Sequence, residues 1–242
     1  VTAFIEGYGG FAEEALVYEH NAFAVPADMS DAEAAVFSIA YRTGYVALVI
    51  RGQMKAGETL LVHGAAGGTG AAAIQLGKAL GGRVIAVASG ALKTQKCLGF
   101  GADEVVDSSR EDFVERVHVL TGGAGVDLVY DPVGGDTFSR SLNCLNFGGR
   151  LLAIGFASGA WSDAPTQDLV LNNRSVIGVL AVVPTLEMSQ AVQRELYALY
   201  AQGKISPHIE STYRFEALPC ALTDLAERRI IGRSVILMDG KG

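Results

Sequence analysis

The chain has 242 residues, a net charge of -7 and three cysteines, with 50% of its residues apolar and 19% charged. That composition supports a large hydrophobic core and excludes a disordered chain. The acidic balance, with no concentration of Lys and Arg, argues against a nucleic-acid or anionic-membrane surface, and Cys97, Cys144 and Cys220 lie too far apart for a disulfide framework or a structural zinc lobe.

Residues 1–35 carry strand and turn chemistry, and because the chain opens on Val1 within it, sequence upstream is expected to be missing and no targeting segment is readable. From Thr59 onward short apolar runs alternate with amphipathic ones. The strand candidates are TLLVHG, RVIAVAS, EVVD, VDLVYDPVG, RLLAIGF and SVIGVLAV, and the helix candidates between them are 71–80, 92–100, 111–120 and 137–145. In the third helix Phe113, Val117 and Leu120 share a face, as do Phe138, Leu142 and Leu145 in the fourth. Alternation of this kind predicts an α/β fold, a doubly wound parallel Rossmann sheet of βαβ units. Residues 59–77 carry no formal charge, yet their glycine density reads as a buried strand, turn and helix rather than a membrane span. Residues 185–202 predict an amphipathic helix, and STYRFEALPCALTDLAERRIIGRSVIL reads as strand, helix, strand. The two flanks together suggest a second domain assembled from both ends of the chain.

The first strand runs into HGAAGGTG, in which Ala65, Gly67 and Gly70 keep the spacing of G-x-G-x-x-G with its first glycine replaced. A small first residue permits the tight turn, the middle glycine admits a pyrophosphate, and the last lets helix and strand pack closely. The helix start then offers free amides and its positive dipole end to phosphate. Glycine-rich turns also arise for packing alone, but here strand, helix and further βα units surround this one. About 20 residues on, an acid would hold the ribose of NAD. This chain has Ser89 and, a helical turn later, Lys93, which favour the 2′-phosphate of NADP(H), although Lys93 also reads as a solvated helix residue.

GAAGGTGAAAIQLGKALGGRVIAVAS, GADEVVDSSREDF, TGGAGVDLVYDPVGGDTF, GGRLLAIGFASG and IIGRSVIL together resemble the medium-chain dehydrogenase/reductases, and within them the zinc-free quinone oxidoreductases related to zeta-crystallin. The segment GYGGFAEEALV resembles the end of that family's GroES-like catalytic domain. The resemblance implies a remnant of that β-rich domain at 1–35, an NADP(H)-binding Rossmann domain at 36–183, and a linking helix with the return to the catalytic domain at 184–242. It implies that Gly67, Gly68, Thr69 and Gly70 carry the pyrophosphate, that Ser89 and Lys93 carry the 2′-phosphate, and that Val133, Gly155, Phe156 and Ala157 border the nicotinamide. Taken alone, Val133 and Phe156 read equally as sheet-edge packing. Ser108 stands beside the 2′-phosphate where the family often has tyrosine, and Thr43 matches a nicotinamide contact. Four residues before Thr43 zinc-dependent relatives carry a cysteine ligand; here Ile39 stands there, and no catalytic metal is expected.

The implied reaction is NADPH-dependent hydride transfer to a quinone or related conjugated carbonyl. Tyr41 and Thr43 are the hydroxyls nearest the developing negative charge, though Tyr41 reads equally as a packed core tyrosine. Reduction of an enoyl or alkenal double bond, or NADPH binding with little turnover, are the alternatives. The chain is expected to be cytoplasmic, to act on a small molecule, and to form a homodimer through the edge strand SVIGVLAV.

Overall fold

The computed structural model describes residues 1–5 and 9–238, so Gly7 and Tyr8 of the GroES-like resemblance lie outside the described residues. Six parallel strands form its centre. In chain order they are β3 (Thr59–Val62), β4 (Arg83–Ala88), β5 (Glu104–Asp107), β6 (Val126–Asp131), β7 (Leu145–Ala153) and β8 (Ser175–Gly178), after the short β1 (Thr2–Ala3) and β2 (Ala22–Phe23). The order across the sheet is β5-β4-β3-β6-β7-β8. The chain therefore leaves β3 toward one edge, returns, and builds the other half outward from β6, which puts the reversal between β3 and β6.

Successive side chains of a strand face opposite sides, so each strand feeds two cores. Leu60, Val62, Val84, Ala86, Leu128, Tyr130 and Leu152 join one cluster with the helices α1 (Asp31–Tyr45) and α2 (Gly68–Ala79). Leu61, Ile85, Val87, Val129 and Leu151 join the other, closed by Phe113 and Val117 of α4 (Phe113–Leu120) and by Phe138 of α5 (Asp136–Ser141). Each fully buried Leu or Ile contributes about 1.5–3 kcal/mol relative to exposure, which makes the two clusters the main stabilising term. The remaining crossover helices are α3 (Ala91–Gly99) and α6 (Thr166–Leu171).

α1 begins with a capping box, in which Ser30 Oγ accepts from the Glu33 amide and Glu33 Oε2 accepts from the Ser30 amide. It starts at Asp31, inside the stretch read as flanking remnant, and runs into a π-helical turn at Val46–Arg51. Gly44 lets it lie against α2, because a Cβ there would stand 2.6 Å from Leu76 Cδ1. The stretch Asp31–Arg51 is long and apolar enough to cross a membrane by composition, but 61% of its apolar window is buried inside the fold. Residues 59–77 form the strand, turn and helix read from their glycine content.

The flanks contribute less strand than their sequence suggests. β1 and β2 pair antiparallel over two residues each, while α7 (Leu186–Ala201) packs on α1. β9 (Ile209–Arg214), α8 (Leu218–Ala226) and β10 (Arg233–Leu237) follow the expected strand, helix, strand order. β9 and β10 pair parallel, and Gly232, just before β10, bridges to Gly67 in the turn between β3 and α2.

Candidate functional site

The carboxyl ends of β3 to β7 share one edge of the sheet, where a doubly wound fold leaves its crevice. After β3 the chain turns through Gly64, whose φ of 55° lies in the left-handed region, and the Gly67 amide donates to Gly64 O at 2.9 Å. Gly67 is the N-cap of α2, and no side chain caps that helix. A Cβ on Gly70 would stand 2.6 Å from Ala65 Cα, so only glycine allows the helix to start this close to the strand. A Cβ on Gly68 would meet Arg233 Cγ at 2.8 Å and collide with the rest of that side chain.

Arg233 was not singled out from the sequence. It follows Gly232, whose amide donates to Ala66 O at 2.7 Å, so the C-terminal strand is latched onto the glycine turn. The Arg233 Nε atom is buried with no hydrogen-bond partner, and so is the Tyr130 hydroxyl at the end of β6. Burial pushes the guanidinium pKa down and the Tyr130 phenol up. No carboxylate pairs with Arg233 among the described residues. A partly desolvated guanidinium whose Nε has no partner, over an uncapped helix start, is what a bound phosphate would complete. The residues present therefore fit the pyrophosphate of a dinucleotide.

To one side, Ser89 and Ser108 stand exposed directly after β4 and β5. Ser108 Oγ bonds Ala88 O at 3.4 Å, while Asp107 accepts the Gly90 amide at 2.8 Å and so holds the two loops together. Hydrogen bonds from Ser109 and Gly90 pull the Asp107 carboxyl below its usual range. Lys93 in α3 spends one donor on Arg228 O at 2.7 Å, which brings the C-terminal segment to this side as well.

On the other side the loops after β6 and β7 are tied to each other. Ala157 donates to Pro132 O at 3.1 Å and Ser158 to Val133 O at 2.9 Å, so Val133, Gly155, Phe156 and Ala157 form one wall. Asp131, 1% exposed, accepts from the Val133 and Gly134 amides at 2.8 and 3.1 Å and fixes the turn; burial raises its carboxyl pKa against those bonds. Phe156 is half exposed and stacks on Trp161 with centroids 4.3 Å apart.

The two hydroxyl candidates of α1 need revision. Tyr41 is 2% exposed and its hydroxyl donates to Gln75 Oε1 at 2.6 Å, so it joins α1 to α2 and presents no proton to an acceptor. Gln75 also accepts from the Ser206 amide and donates to Ser206 O. In this structure Tyr41 sits as a packed core tyrosine. Thr43 Oγ1 donates to Ile39 O at 2.7 Å, which leaves it lone pairs to accept with but no free proton. Ile39 is half exposed and walls a cavity against α1. Among the described residues no three His, Cys, Asp or Glu side chains gather as a metal site.

The family model for zinc-binding dehydrogenases matches residues 68–196. The chain belongs to the zinc-binding dehydrogenase family. It is 34% identical to quinone oxidoreductase-like protein 2 of Bos taurus over 96% of its own length and 68% of the relative's. It is 31% identical to the quinone oxidoreductase of Homo sapiens over 86% of its own length and 63% of the relative's. The Escherichia coli quinone oxidoreductase, solved in complex with NADPH, superposes with a TM-score of 0.84 at 32% identity, covering 91% of this chain and 69% of that one. The chain thus spans about two thirds of the length of the relatives it matches, with 68% and 63% of the two curated ones covered.

Proposed function

We propose that this chain is the cofactor-binding part of an NADPH-dependent reductase that delivers hydride to a quinone or related conjugated carbonyl without zinc. The observation that carries the reading is the glycine cradle with its two unpartnered buried atoms, Arg233 Nε and Tyr130 Oη. The chemistry a nicotinamide cofactor supplies, when bound, is hydride donation. Gly67, Gly68, Thr69 and Gly70 receive the pyrophosphate with their amides, and Arg233 neutralises it. Ser89, Lys93 and Ser108 take the adenosine 2′-phosphate. Val133, Gly155, Phe156 and Ala157 flank the nicotinamide, and Thr43 accepts from its carboxamide. Residues 36–183 act as the cofactor unit, with 1–35 and 184–242 as parts of a catalytic domain.

The edge strand β8 pairs only with β7 among the described strands. An unpaired, uncharged edge of this kind supports pairing with a second copy. Light scattering that gives a monomer at micromolar concentration overturns the dimer.

Trp161 is the single tryptophan and lies on the nicotinamide wall, so quenching of its emission reports cofactor binding. NADPH and NADH are titrated separately, and NADPH oxidation is then followed with a small quinone, with an enone, and with no acceptor. The reading expects tighter NADPH binding and quinone-dependent oxidation. Oxidation only with the enone makes the chain a double-bond reductase, and binding without consumption of any acceptor overturns the enzyme reading.

A further inference from the structure

Against α1, on the side of Ile39, lies a cavity of about 680 Å³, a size suited to a small molecule. Its wall is mostly apolar, with Phe4, Ile39, Leu180, Val182 and Leu186 contributing, and no Asp or Glu lines it among the described residues. Among the described residues its permanently charged group is Arg42, which is 7% exposed, and His20 is the other basic side chain on the wall. The compensation of Arg42 is thin. Nε donates to Ala181 O at a long 3.3 Å, and the guanidinium lies 5.3 Å from the Phe4 ring and 5.9 Å from the Phe23 ring. No carboxylate of a described residue pairs with it, and Nη1 is buried with no hydrogen-bond partner. Burial pushes the guanidinium pKa down, although a guanidinium stays charged at neutral pH.

A nearly buried charge stripped of water and left one partner short is costly unless something else completes it. Two aromatic faces offset part of that cost but satisfy no N–H donor. A planar fork of donors fits a carboxylate, and the apolar walls around it fit a hydrocarbon body better than a hydrated phosphate. Ile39 and Arg42 wall the cavity from one side of α1, and Thr43, the expected nicotinamide contact, is the next residue of that helix, with its side chain turned about 100° away.

We propose that this cavity is an anion-anchoring substrate subsite, in which Arg42 holds the carboxylate of a small unsaturated acid whose apolar body rests on Ile39, Leu180 and Val182. The placement of the acid as a hydride acceptor rests on the reductase reading; the binding of the acid does not.

The test is calorimetric titration of the full chain, without cofactor, with cinnamate and with the neutral cinnamamide. Wild type is expected to bind the acid about tenfold or more tighter than the amide, the scale of one hydrogen bond to a charged group. Arg42→Met should abolish the preference, and Arg42→Lys should keep part of it. Arg42→Gln is the second neutral variant, should Arg42→Met not fold by circular dichroism. A wild type that does not bind cinnamate, or binds it no tighter than the amide, overturns the subsite. So does a neutral variant that keeps the preference. NADPH titration of the same samples separates the two readings. Arg42-dependent acid binding without NADPH binding removes the reductase and leaves the subsite, while NADPH binding without acid preference removes the subsite alone.

Discussion

Replacing Arg233 by Met tests the cradle from two directions. In the free protein the guanidinium is desolvated over Gly68 with its Nε atom unpartnered, and Met keeps most of the apolar stem. Removing an uncompensated charge should leave stability unchanged or raise it by on the order of 1 kcal/mol, which for a chain of this size shifts Tm by about 2–4 °C. The pyrophosphate, by contrast, loses a charge-assisted hydrogen bond of about 1.5–3 kcal/mol, weakening the Kd for NADPH about 10- to 150-fold. Gly68→Ala reaches the same outcome without touching the charge, because the new Cβ displaces the Arg233 side chain. NADPH titration through Trp161 emission, paired with thermal unfolding in the absence of cofactor, reads both quantities. An Arg233→Met protein that binds NADPH like wild type refutes the reasoning, as does one whose affinity and stability fall together.

His63 directly follows β3 and is 2% exposed; Ser141 Oγ donates to Thr137 O, so it accepts from His63 Nε2–H at 2.7 Å. Burial first, and then the Arg140 charge, push its pKa down to about 3, so the unfolded chain takes up the proton first as pH falls below about 6.5. Stability is therefore full above that pH and falls below it, by about 2 kcal/mol between pH 7 and pH 5. Urea unfolding of His63→Gln should lack this component, and a difference from wild type that does not change with pH rejects it. Tyr41→Phe should cost about 1 kcal/mol of stability and leave kcat/KM for quinone in place. A tenfold fall in kcat at unchanged stability would return Tyr41 to catalysis. Lys93→Gln should weaken NADPH by about 1 kcal/mol, roughly fivefold, with NADH unaffected. Equal losses for both cofactors would remove Lys93 from the 2′-phosphate.

The central sheet was legible because strands buried on both faces are written as short apolar runs, and β5 spans the four residues EVVD read for it. Boundaries slipped where local chemistry misleads. β7 begins at Leu145 rather than at Arg150, since the glycines of NFGG look like a turn, and Leu145 therefore belongs to a strand and not to the helix whose face it matched. β8 stops at Gly178 rather than running through Val182, because the chain parts from β7 there. α1 was harder to read because, besides the face of Val36, Phe37, Ala40, Tyr41 and Gly44, the polar Ser38, Arg42 and Thr43 are buried on its other sides.

The glycine cradle was readable because its geometry is local, whereas the two arginines that give the site its charge are set by contacts with distant segments. Both carry a trace in the sequence all the same: Arg42 and Arg233 are each a single charge inside an apolar run, FSIAYRTGYVAL and IIGRSVIL. That trace alone decides little. Arg116 and Arg150 also have a buried Nε without a hydrogen bond, but each guanidinium is ion-paired, Arg116 through that Nε with Glu111 at 3.3 Å and Arg150 through Nη2 with Glu58 at 2.7 Å. Arg42 and Arg233 have no such partner among the described residues, and each borders a space where a ligand fits, the cavity at Ile39 and the turn at Gly68. A buried guanidinium is stable only when something answers its charge, and no carboxylate of a described residue does so for these two, which is why each is proposed to take an anion. On the two proposals, one arginine meets the cofactor's phosphates and the other the acid that the cofactor would reduce.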